Sequence, residues 1–122
     1  MCKQSRGRTA YHSGLAAEDT VSRMYDRRGL VETRRRWRGK GGEIDLIFAD
    51  GDTVVFVEVK KSRTHDRAAQ MLSMRQQQRL CRAAEEYLGT QPRGSLTDAR
   101  FDVALVDGYG NVEVIENGIM AA

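Results

Sequence analysis

Four residues on two apolar segments have types and spacing that could do chemistry. Glu43 and Asp45 stand in Glu43-Ile44-Asp45-Leu46-Ile47-Phe48-Ala49. Glu58 and Lys60 stand in Thr53-Val54-Val55-Phe56-Val57-Glu58-Val59-Lys60. An unpaired carboxylate is costly to bury in so apolar a run. Residues two apart on a strand share a face, so each segment presents a polar pair to one side. Asp50-Gly51-Asp52 between them is a turn signal, and the two segments read as a hairpin. A two-residue turn at Gly51-Asp52 sets Asp50 against Thr53. Asp45 then lies directly opposite Glu58, and Glu43 opposite Lys60. A slip of one residue would send the acids to opposite faces, so the chemistry requires this register or one shifted by two.

Two carboxylates held within a few ångströms repel, and one tends to keep a proton. A divalent cation removes that penalty, and hard oxygen donors suit Mg2+ or Mn2+ with water in the remaining positions. Such an ion lowers the pKa of its water and stabilises charge building on a phosphate. Lys60 could polarise the attacking water or stabilise the developing anion. Phosphodiester hydrolysis is the reaction these parts fit. The same Asp-x12-Glu-x-Lys spacing also suits a half-exposed strand pair with complementary charges.

The elements around this hairpin follow from periodicity. Ala17, Val21, Met24 and Tyr25 form one apolar stripe, and Gly29 is a left-handed stop, which predicts a helix over about 14–28. Leu30 to Trp37 reads as an arginine-bearing edge strand. Gly39-Lys40-Gly41-Gly42 reads as a flexible break. Lys61 to Leu72 reads as a mobile loop. Ser73 can cap a second helix, with Gln76 completing a capping box, and Leu80, Cys81, Ala84, Tyr87 and Leu88 as its buried stripe. Two more strands follow, Phe101 to Val106 and Val112 to Ile115, around a turn at Asp107-Gly108-Tyr109-Gly110. The order predicts an α/β fold, a mixed central sheet of about five strands flanked by helices. Residues 1–13 read as a basic N-terminal arm and 14–122 as one domain.

The chain has 122 residues, 20 Lys+Arg against 17 Asp+Glu, and one Pro. That length fits one domain at the usual ~100–200 residues. The composition excludes collagen-like, proline-rich and broadly disordered chains. No apolar run is long enough for a membrane helix, and the basic start has no apolar stretch behind it, unlike a secretory signal. Cys2 and Cys81 lack metal-knuckle or redox-pair spacing, so reduced thiols in the cytoplasm are expected, with Cys81 in the core. The net charge of +3 is modest, but Arg34-Arg35-Arg36-Trp37-Arg38-Gly39-Lys40 holds five cations in seven residues. Arg75, Arg79 and Arg82 lie at helical spacing. Such clusters bind phosphate backbones; they also make solvated basic faces.

Gly42-Glu43-Ile44-Asp45-Leu46-Ile47 with Val55-Phe56-Val57-Glu58-Val59-Lys60 resembles the bacterial YraN-type family. That family is grouped with the restriction-endonuclease-like, PD-(D/E)XK nucleases and is similar to archaeal-type Holliday junction resolvases. The resemblance runs from about Gly14 to Ile115. It includes Gly14-Leu15-Ala16-Ala17-Glu18, Trp37-Arg38, Arg75 to Leu80 and Arg100-Phe101-Asp102-Val103. It implies a restriction-endonuclease-like fold and a metal-dependent endonuclease acting on DNA, with branched and single-stranded substrates among those it admits. It implies Asp45 and Glu58 as metal carboxylates for Mg2+ or Mn2+, Lys60 as the catalytic lysine, and Glu18 as an outer acid completing the site. Gln76 falls where that family often has Lys and could serve the site; its alternative is the capping box. Without the resemblance, Glu18 would read as an exposed helix acid. Resolvase-like relatives act as dimers, which makes a homodimer compatible.

Three departures stand out: Ala17 for a common Gly, Arg36 for a common Asn, and Lys61-Ser62-Arg63 for a common Thr-Arg. They touch substrate contacts and the loop rather than the acids. Arg34, Arg35, Arg36, Arg38, Lys40, Arg63, Arg75 and Arg79 are the candidate nucleic-acid contacts. Trp37 reads as sheet packing ahead of base stacking. Asp102 reads as a partner of Arg100 or a neighbouring arginine ahead of a catalytic role, and His12 and His65 as surface residues. Two other functions fit the same fold: a catalytically inactive nucleic-acid-binding module, and a protein-interaction domain with a basic rim.

Overall fold

Ala17, Val21 and Tyr25, one turn apart in succession, are all buried on one side of the first helix. They meet Leu46, Phe48, Val55, Val57, Ala104 and Val106 from the sheet. In the computed structural model, which describes residues 2–61 and 72–119 with side chains from Leu15 onward, this helix is α1 (Cys2–Arg27). Its backbone begins well before the predicted start at 14. The side chains of the expected basic arm, Cys2 and His12 among them, lie outside the described residues. Gly29 takes φ +90°, and its N–H donates to the Asp26 carbonyl, as a left-handed stop requires.

The strands are β1 (Val31–Arg38), β2 (Glu43–Asp50), β3 (Thr53–Lys61), β4 (Ala99–Val106) and β5 (Val112–Ile115). They form one sheet in the order β1-β2-β3-β4-β5. All neighbours are antiparallel except β3 and β4, which are parallel. That parallel pair needs a crossover, and α2 (Met74–Leu88) supplies it. α2 buries Leu80, Ala83, Ala84 and Tyr87 against Ile44, Ile47, Val54, Phe56, Phe101, Val103 and Leu105 on the other face. Each Leu, Ile, Val or Phe among them contributes roughly 1.5–3 kcal/mol when fully buried. The result is the predicted mixed α/β sheet between two helices, with β1 at an edge. Cys81 is half-buried against the α2-side core.

Trp37 packs edge-on against Tyr87, with ring centroids 5.4 Å apart, and so belongs to the core. Asp102 is fully buried and ion-paired to the Arg100 Nε at 3.1 Å, as expected. It also accepts hydrogen bonds from the Tyr25 hydroxyl at 2.8 Å and the Asn117 amide at 3.0 Å. Burial and the Asp102 carboxylate hold the Tyr25 phenol far above its ordinary range. The loop expected over 61–72 falls, from 62 to 71, outside the described residues, and Arg63 and His65 with it. Among the described residues no helix is long and apolar enough to cross a membrane.

One expectation about the loops is overturned. Gly39 to Gly42 is not a flexible break but a tight turn pinned to α2. The Gly39 N–H donates to the Gly42 carbonyl at 2.9 Å. The Glu86 carboxylate accepts from the Lys40 N–H at 2.8 Å and the Gly41 N–H at 2.7 Å. A Cβ on Gly39 would collide with Glu86 and lie 2.9 Å from the Trp37 ring; one on Gly41 would lie 2.9 Å from Arg82 Cβ. The glycines serve close approach to a helix, not freedom of movement.

Candidate active site

The register that the acids need is present. β2 and β3 pair Asp50 with Thr53, Ala49 with Val54, and onward to Leu46 with Val57. The next residues on the two strands are Asp45 and Glu58. There the ladder ends, and the Asp45 carboxylate accepts the Val59 N–H at 2.8 Å through Oδ2. An acid side chain thus replaces a backbone acceptor, and the strands part. Glu43 is consequently not paired with Lys60; its cross-strand neighbour is Arg38 on β1, 3.4 Å away. Lys60 Nζ lies 4.0 Å from the Glu58 carboxylate.

The β1 side contributes a second irregularity. Arg35 pairs with Leu46 and Trp37 with Ile44, leaving Arg36 and Asp45 between them. Arg35 and Leu46 face α1, since Arg35 is ion-paired to Asp19 and Leu46 lies in the α1-side core. Trp37 and Ile44 face α2. Residues two apart should share a face, so both strands switch sides at Arg36 and Asp45. On β1 the switch falls at a backbone irregularity: Arg36 has φ +53°, a left-handed conformation. That conformation costs a residue with a Cβ about 1–2 kcal/mol.

Where the strands part, a cleft of about 420 Å³ opens, lined by Glu18, Arg36, Gly42, Glu43, Asp45, Glu58, Gln76, Arg79 and Leu80. α1, β1, β2, β3 and α2 all reach it. Glu58 is buried, and burial pushes its carboxyl up to about 9. Asp45, in hydrogen-bonding contact and negatively charged, pushes the same way, while Lys60 opposes it. Glu18 is buried too, contrary to an exposed helix acid. Burial raises its pKa, the hydrogen bond from Arg36 works against that rise, and the Asp45 charge adds to it. The Arg36 Nε sits 3.0 Å from Glu18 Oε2 and 3.3 Å from Oε1.

Gln76 makes half of the capping box and stands on the cleft wall. Its backbone N–H donates to the Ser73 Oγ cap at 3.1 Å, while the residue lines the cleft. Lys60 is beside Glu58 but not among the lining residues. The basic cluster divides. Arg34, Arg38 and Lys40 are exposed on β1 and its turn, and Arg75 and Arg79 on α2. Arg35 is engaged with Glu32 and Asp19, whose hydrogen bonds hold its guanidinium firmly protonated. Asp45 and Glu58 are oxygen donors of the kind Mg2+ or Mn2+ takes, with waters completing the shell. The buried Glu58 carboxyl beside Asp45 is a place where a dication would offset the cost of negative charge. Glu86 was not visible as a site-shaping residue in the sequence; its only signal is a helix acid facing a glycine-rich turn.

The chain matches, over residues 17–106, the model of the family described as uncharacterised protein family UPF0102. The chain belongs to the UPF0102 family. A UPF0102 protein of Ruegeria pomeroyi is 58% identical over 113 residues, covering 93% of this chain and 92% of the relative. A UPF0102 protein of Cereibacter sphaeroides strain KD131 is 55% identical over 115 residues, covering 94% and 98%. One from Dinoroseobacter shibae is 45% identical, covering 94% and 86%. The region shared with UPF0102 contains every cleft residue and strands β1 to β4.

Proposed function

We propose that this UPF0102 chain is a metal-dependent endonuclease that hydrolyses phosphodiester bonds of DNA in the cytoplasm. The observation that carries this reading is the Asp45–Glu58 pair at an open cleft, one acid buried enough to hold a proton near neutral pH. The sequence resemblance to PD-(D/E)XK nucleases supports it. Asp45 and Glu58 would hold Mg2+ or Mn2+, which supplies a more acidic bound water and a counter-charge for the phosphate.

The chain's own groups do the rest. The Lys60 ammonium, 4.0 Å from Glu58, orients the water or stabilises charge on the phosphate oxygens. Gln76 and Arg79, from the α2 wall, offer donors to the substrate. Arg34, Arg38, Lys40 and Arg75 neutralise flanking phosphates, so binding weakens with salt.

The test is cleavage of duplex, single-stranded, flap and four-way-junction DNA with Mg2+ or Mn2+, with K60A as control. Metal-dependent cutting of at least one substrate, lost in K60A, is expected. Salt-dependent binding without cutting would leave a nucleic-acid-binding module instead.

A further inference from the structure

Among the described residues, no three His, Cys, Asp or Glu side chains are gathered as a metal cage would be. Yet Glu18, Asp45 and Glu58 all line one cleft. Glu18 is engaged by a cation from within the chain, with Arg36 Nε at 3.0 and 3.3 Å from its two oxygens. Arg36 stands there with a left-handed backbone, at the point where both strands switch faces. Strain held in mid-strand points to a placed side chain. The charges also balance: the four carboxylates lining the cleft (Glu18, Glu43, Asp45, Glu58) against the two guanidiniums (Arg36, Arg79) leave two negative charges, which one dication matches and two would exceed.

Resting on the reading above, we propose that the cleft takes a single divalent ion on Asp45 and Glu58. The Arg36 guanidinium, held by Glu18, stands where a second ion would otherwise sit and binds the substrate phosphate. Glu18 is then a positioning residue for Arg36 rather than a metal ligand. A guanidinium suits that place, because it presents several N–H groups in a plane and stays charged at any working pH. It grips phosphate without needing the chain to recruit another metal.

The full chain and its E18Q and R36N variants decide this by two readouts independent of turnover. Mn2+ binding is followed by titration calorimetry. Binding of a fluorescent DNA duplex is followed by anisotropy in Ca2+. The wild type should bind one Mn2+ per chain. E18Q should keep that stoichiometry with affinity within about threefold, and lose about tenfold in DNA affinity as Arg36 loses its anchor. In R36N a competing cation is gone, so Mn2+ should bind tighter and DNA about tenfold weaker. Asn tolerates the left-handed backbone, so R36N carries the test alone if E18Q does not fold.

Two Mn2+ per wild-type chain, a loss of about tenfold or more in Mn2+ affinity in E18Q, or unchanged DNA affinity in R36N would each overturn the proposal while leaving the nuclease reading intact. A wild type that binds no Mn2+ overturns both.

Discussion

Replacing Glu58 by Gln should stabilise the metal-free protein at neutral pH and remove its response to divalent ions. In the folded chain the Glu58 carboxyl is pushed up to about 9, against an ordinary value of 4.5. Between those values the folded state binds a proton that the unfolded state has released, so Glu58 makes stability fall as pH rises through that window. From 4.5 to pH 7, at about 1.4 kcal/mol per pH unit, the penalty reaches at most about 3 kcal/mol. Gln keeps the shape and cannot ionise. Urea denaturation of both proteins in EDTA, from pH 4.5 to 9, measures the difference. The two curves should converge near pH 4.5, and E58Q should lead by up to about 3 kcal/mol at pH 7. Adding Mn2+ should stabilise the wild type and leave E58Q unmoved. A gap that does not change with pH, or an E58Q protein less stable at pH 7, would show that Glu58 is ionised and satisfied in the fold, and the argument would fail.

Three further outcomes follow from other contacts. Asp102→Ala strips a fully buried partner from Arg100, Tyr25 and the Asn117 amide; it should cost about 3–5 kcal/mol, read by urea denaturation. Glu86→Ala should cost about 1–3 kcal/mol and speed hydrogen exchange at the Lys40 and Gly41 amides, with exchange in β4 little changed. Arg34→Ala should lower the slope of log affinity for DNA against log salt by about one, with binding weakened evenly across sequences.

Much of this molecule was legible because period-two and helical patterns are local. The Asp45–Glu58 alignment followed from one turn, Gly51-Asp52, and an unbroken ladder back to Leu46 and Val57. Most of the stripes on both helices, the Gly29 stop, the Ser73 cap and the pairing of Asp102 with an arginine followed from short-range rules; Ala83, buried on α2, was missed. What escaped is tertiary. An arginine at φ +53° carries no sequence mark, so the face switch at Arg36 was invisible. With it went the division of the basic run into exposed cations and internal ion pairs. The Gly39–Gly42 turn looked flexible because its constraint, Glu86, lies on a helix more than forty residues away. The Glu43–Lys60 pairing failed because strand pairing was extended past the point where the Asp45 side chain takes over the Val59 amide.

That last bond has a practical meaning. Asp45 is at once a candidate reactive group and the stitch that closes the β2–β3 seam at its open end. Deleting its carboxylate would fray the seam as well as remove the proposed metal ligand, so an inactive D45A protein could not tell the two losses apart. D45N keeps an oxygen for the Val59 amide while discarding the charge, and is therefore the cleaner probe. Whatever the cleft does, a residue without a side-chain acceptor at position 45 leaves the Val59 N–H unanswered at the mouth of the seam, so the sheet itself constrains what can stand there.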